Sequence, residues 1–142
     1  MNSSISPSCE SRELLIKMLR VLYPHDRFGN GPYEKAADAI ISASESTPAQ
    51  TLILANGLRE LEVAKFDSLD TSGATAYLKS IEGNPFFVAV TGTGLVALYN
   101  DHEVWKILGY EGPSYDLGGY IDRGFNNLDW LPEPRITEFE GV

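Results

Sequence analysis

Two short runs put histidine beside acid, a pairing used by both metal binding and acid–base chemistry: His25-Asp26 and Asp101-His102-Glu103. A metal site needs three or four ligands, and neither run has a second histidine or a cysteine at ligand spacing. The plainer reading of each is a surface histidine beside a capping acid. Thr91-Gly92-Thr93-Gly94 resembles half of a phosphate-binding loop. The dinucleotide fingerprint also needs a preceding strand, a third glycine, a following helix and a distant acid, and a Walker loop needs a lysine. Only fragments are present, so Gly92 and Gly94 read as packing positions inside a buried helix. Cys9 is the sole cysteine and falls in a Ser-rich start, where a nucleophile would lack a fixed base. No Gly-x-Ser-x-Gly elbow occurs. Twenty acids keep a carboxylate acid–base pair open, yet no spacing singles one out.

The last quarter of the chain is chemically distinctive in another way. Tyr110, Tyr115, Tyr120, Phe125, Trp130 and Phe139 are interspersed with Gly112, Pro113, Gly118, Gly119, Gly124, Pro132 and Pro134. Arg123 lies between Tyr120 and Phe125. Tyr, Trp and Arg are the side chains that most often anchor protein interfaces. Many turn-formers with many large rings are not the composition of a typical disordered tail. The segment 110–142 therefore reads as an extended arm whose aromatics dock on this domain or on another protein. The candidate partner-binding residues are Trp105, Tyr110, Tyr115, Tyr120, Arg123, Phe125 and Trp130.

Composition bounds what can present such an arm. The chain has 142 residues, 43% hydrophobic and 22% charged, as expected of one globular domain able to bury a real core. No apolar run approaches the ~18 residues of a membrane span. The 11 basic and 20 acidic residues give −9, which disfavours nucleic acid and bare anionic membranes. From Tyr110 onward, seven acids against two bases supply −5 of it.

The elements that must hold these residues read as all-α. Residues 1–10 are an expected flexible start with no secretion signal. Leu14, Leu15, Met18, Leu19 and Leu22 make one stripe of a helix over 11–23, capped by Ser11 and stopped by Pro24. His25 to Pro32 reads as a loop. Pro32-Tyr33 opens a second helix, with Ala36, Ala37, Ile40 and Ile41 inward. Thr47-Pro48-Ala49-Gln50 starts a third that runs to about Phe66. Asp70 or Thr71 starts a fourth, ended by Gly83. Asn84-Pro85 opens a run from Phe86 to Tyr99 that reads as a buried helix. Asn100 or Asp101 caps a short last helix, Glu103 to Leu108, closed by Gly109. The expected architecture is a compact helical domain of five to six helices over 11–109, followed by the arm 110–142.

Trp105-Lys106-Ile107-Leu108-Gly109-Tyr110-Glu111-Gly112-Pro113, after Phe86-Phe87 and the segment Thr91 to Tyr99, resembles the gluconate 2-dehydrogenase subunit 3 family. That family carries a Trp-x-x-(Ile/Leu)-Gly-(Tyr/Phe)-x-Gly pattern, here similar at Trp105, Gly109, Tyr110 and Gly112. Tyr23-Pro24-His25-Asp26 is similar to the family's first helix ending. The resemblance spans about Ser11 to Pro134. It implies a non-catalytic small subunit paired with a large flavoprotein of the glucose-methanol-choline type. That partner binds FAD and oxidises a sugar, polyol or sugar acid, often with a multi-haem cytochrome c. The small subunit would help fold, flavinate or export it. Many family members carry a twin-arginine leader, and this sequence shows none. The sequence as given implies a cytoplasmic location, and the resemblance offers the periplasm as the alternative.

The expected function is thus an accessory subunit of an FAD-dependent sugar or alcohol dehydrogenase, with no cofactor, metal or catalytic residue of its own. Two rivals stand beside it: a stand-alone protein-binding module with a self-docked arm, and a small carboxylate-based enzyme.

Overall fold

Residues 9–119 and 121 are described in the computed structural model of the chain. Among them lie six α-helices and no strand: α1 (Cys9–Leu22), α2 (Asn30–Ser44), α3 (Pro48–Val63), α4 (Thr71–Ser80), α5 (Pro85–Tyr99) and α6 (His102–Leu108). Two 3-10 turns, Phe66–Ser68 and Tyr115–Leu117, complete the regular structure. The all-α class read from the sequence is the class the described residues adopt. The chain divides into two compact units between Tyr110 and Glu111.

Four helix starts follow the capping chemistry of their residues. Thr47 Oγ1 accepts from Gln50 N at 3.2 Å, Asp70 Oδ1 from Gly73 N at 2.8 Å, Asn84 Oδ1 from Phe86 N at 2.9 Å and Asp101 Oδ1 from Glu103 N at 2.7 Å. Each bond satisfies an amide that the helix ladder leaves without a partner and contributes about 1 kcal/mol. Pro48 and Pro85 occupy first-turn positions, where a missing N–H costs nothing.

The other boundaries differ from the sequence reading. α1 begins at Cys9, so Ser11 is not its cap but a buried position within it. α2 begins at Asn30, which shortens the loop expected over His25 to Pro32. Gly29 caps it without a side chain, and the Arg20 guanidinium donates to the Asn30 side-chain oxygen. α3 stops at Val63 instead of about Phe66, because Lys65 adopts a left-handed conformation at φ 50°. That turn carries Phe66 back into the core, where it is fully buried, with the Lys17 ammonium 5.6 Å from its ring centroid. Lys17 Nζ also donates to the carbonyls of Asp67 at 2.5 Å and Leu69 at 2.7 Å, tying α1 to the turn. Burying an aromatic ring is worth roughly 1.5–3 kcal/mol, enough to offset the 1–2 kcal/mol of a left-handed residue.

The core joins Leu15, Met18 and Leu19 of α1 to Tyr33, Ala36 and Ala37 of α2, Leu58 and Leu61 of α3, and Val90 and Leu98 of α5. α5 packs mainly on α2 and α3. Two glycines set its approach. A Cβ at Gly57 of α3 would lie 2.0 Å from Phe86 Cγ, and one at Gly94 would lie 2.7 Å from Leu19 Cδ2. Gly92 was expected to serve packing as well, but a Cβ there would meet nothing within 4 Å.

The same helix corrects a second expectation. α5 is not buried all round. Phe86, Val90, Gly94 and Leu98 form its inward stripe, at intervals of four residues. Val88, Leu95 and Val96 point the other way and are 56%, 46% and 63% exposed.

Candidate docking surface

Trp105 sits where α5 and α6 meet. Asp101 caps α6 and also pairs with Lys35 of α2, Oδ2 to Nζ, at 2.8 Å. Burial works to raise the Asp101 carboxyl's pKa. The hydrogen bond from Lys35, the amides of Glu103 and Val104 and the lysine charge outweigh that and hold it below the usual carboxylate range. The same contact, through its hydrogen bond first, raises Lys35. With the cap fixed, Val104 is buried and Trp105 lies half-buried against the end of α5. Its Nε1–H donates to Tyr99 O at 2.6 Å, the His102 ring stacks on it at 4.6 Å, and Tyr110 meets it edge-on at 5.1 Å. Gly109 in the left-handed region lets Tyr110 N reach back to Trp105 O at 2.8 Å, a Schellman ending. Trp105 is therefore fastened to its own domain, while Tyr110 is 48% exposed.

The second unit presents its apolar side chains openly. Ser114 O accepts from Leu117 N at 3.1 Å and Gly119 N at 2.8 Å, closing a tight turn. Gly118 and Gly119 both have positive φ, which glycine adopts without strain. Tyr115, Leu117 and Ile121 emerge from that turn 90%, 61% and 81% exposed. Tyr120, Arg123, Phe125 and Trp130 lie outside the described residues. Of the seven candidate residues, the structure thus brings Trp105 and Tyr110 together and places Tyr115 on an exposed turn.

Other candidate chemistry resolves into structure. His25 is not an exposed histidine beside a cap: it stacks on Phe28 at 4.3 Å, and its Nε2 lies 2.5 Å from Tyr99 Oη. His102 is exposed at the start of α6, as expected. No group of three His, Cys, Asp or Glu able to hold a metal occurs among the described residues. Thr91 to Gly94 lie in mid-α5, where the backbone amides belong to the helix ladder and cannot cradle a phosphate. Glu10, Glu13, Glu62 and Asp67 surround a cleft of about 570 Å³ with Lys17, whose ammonium is committed to two carbonyls. Asp38 is held low by its hydrogen bond to Arg12. Asp38 and Asp101 are thus both stabilised as carboxylates by their basic partners.

The exposed stripe of α5 escaped the sequence reading. The run from Pro85 to Tyr99 has no charged residue, so its pattern does not distinguish one buried face from two. Among the described residues no single helix is long and apolar enough to cross a membrane. No protein-family profile, curated protein or solved structure matches this chain.

Proposed function

We propose that the chain is a non-catalytic accessory subunit that docks on the large FAD-binding subunit of a glucose-methanol-choline-type sugar or alcohol dehydrogenase and stabilises it or assists its maturation. The observation that carries a docking role is the turn of the second unit, which holds Tyr115, Leu117 and Ile121 in solvent. Large apolar side chains grouped in the open favour a partner that covers them. The kind of partner rests on the resemblance at Trp105, Gly109, Tyr110 and Gly112. Flavin, and a multi-haem cytochrome c where one is present, belong to that assembly and not to this chain.

Tyr115→Ala should weaken the complex about tenfold or more if the ring is an interface anchor. Calorimetry on the purified pair reads this directly, and unchanged affinity for both Tyr115→Ala and Trp130→Ala would remove the arm from the interface. One observation favours the rival of a stand-alone module: Trp105, a candidate partner-binding residue of α6, spends its indole N–H on Tyr99 O of its own domain. A stable monomer that captures no flavoprotein is the outcome that rival predicts.

A further inference from the structure

The turn of the second unit carries its own charge pattern. From Tyr110 to Asp122 the chain holds Glu111, Asp116 and Asp122 and no basic residue. Glu111 and Asp116 are exposed, and Asp116 falls between Tyr115 and Leu117, whose side chains also stand in solvent. The turn therefore offers large apolar side chains and a carboxylate together. Its backbone is closed before any partner arrives: Gly118 N donates to Tyr115 O at 3.1 Å, in addition to the two bonds that Ser114 O accepts. Gly118 and Gly119 add no side chain after Leu117, which keeps the turn narrow.

We infer that this turn enters an apolar pocket whose rim carries lysine or arginine, and that the rim charge steers it there. The inference rests on the accessory-subunit reading and names the kind of surface the large subunit presents to this chain. Shape, polarity and charge each constrain that surface. A tight turn is convex, so its receptor is concave. Exposed aromatic and aliphatic side chains contribute most when a pocket removes them from water. Asp116 cannot follow them into an apolar interior unpaired, because a buried lone carboxylate is costly, so a cation must meet it at the edge. A second copy of this chain does not meet that need through the same turn, since it brings acid against acid. The closed backbone lowers the ordering cost of docking.

Association of the full chain with an FAD-binding large subunit of the glucose-methanol-choline type from the same genome is followed by surface plasmon resonance at rising salt. Association of the unmodified chain should slow as salt rises. Asp116→Lys should slow it about tenfold at low salt and remove most of its salt dependence. Glu82→Lys, the same charge reversal at an exposed position of the first unit, should slow it by less than about threefold. Tyr115→Ala should leave the association rate unchanged and raise the dissociation rate about tenfold or more. A complex whose association is indifferent to salt and to Asp116→Lys, or that both reversals slow equally, would overturn this inference alone. Faster association of Asp116→Lys would also overturn it, since the receptor would then be acidic. The absence of any complex would overturn the accessory-subunit reading and this inference with it.

Discussion

A methyl group added at Gly57 would meet Phe86 Cγ at 2.0 Å, whereas one added at Gly92 would meet nothing within 4 Å. Both glycines lie inside helices, so the two substitutions isolate packing from propensity. Gly57→Ala should destabilise by about 1–3 kcal/mol or more, because Phe86 is buried and has no room to retreat. Gly92→Ala should stabilise by roughly 0.5–1 kcal/mol through the lower backbone entropy cost. Urea melts of the two variants check this, and equal effects would contradict the packing of α3 on α5. Asp101 makes a pH-dependent prediction. Its folded pKa is lowered, so its stabilisation is present above the ordinary carboxylate range, about 3.9, and is lost as pH falls through the lowered folded value. Asp101→Asn keeps a competent helix cap but removes the charge. It should cost up to about 1 kcal/mol at neutral pH and flatten the acid limb of the stability curve. An unchanged acid limb would show that the Lys35 pair contributes nothing.

Helix boundaries were legible wherever a single residue supplies the capping chemistry. Thr47 and Asn84 fulfil the role their type and position suggested, and Asp70 and Asp101 prove to be the caps where the sequence left Asp70 or Thr71 and Asn100 or Asp101 open. The misplaced boundaries have physical reasons that local pattern does not contain. α2 begins on a glycine cap with no side-chain signal, and α3 ends because Lys65 turns left-handed so that Phe66 is buried. α5 was read as helical, but its exposed face depends on how many neighbours surround it, which no periodicity encodes. The structure's own asymmetry gives the test: Val90→Asp on the inward stripe should unfold the domain, while Val96→Asp should change stability by no more than about 0.5 kcal/mol. Comparable losses in thermal melts of the two variants would mean that α5 is buried all round after all.

At the scale of the molecule, an acidic helical domain and a short second unit with open aromatic and aliphatic side chains are joined in one chain. The candidate site was partly legible in sequence. Tyr115 was singled out by type and lies exposed, and Tyr110 is half-exposed beside Trp105. Trp105 was singled out too, yet its indole is bound to Tyr99, a contact that composition cannot reveal because it depends on the turn between α5 and α6. Leu117 and Ile121 were not singled out, since isolated aliphatics carry no interface signal by type. The central proposal is that this chain serves a larger flavoprotein, and co-expression with an FAD-binding large subunit of the glucose-methanol-choline type from the same genome tests it most directly. Size-exclusion chromatography is followed at 280 nm for protein and about 450 nm for oxidised flavin. The account predicts one yellow peak containing both chains, and a large subunit that is insoluble or flavin-poor when expressed alone. A colourless monomer of this chain eluting apart from a soluble, fully flavinated large subunit would contradict it.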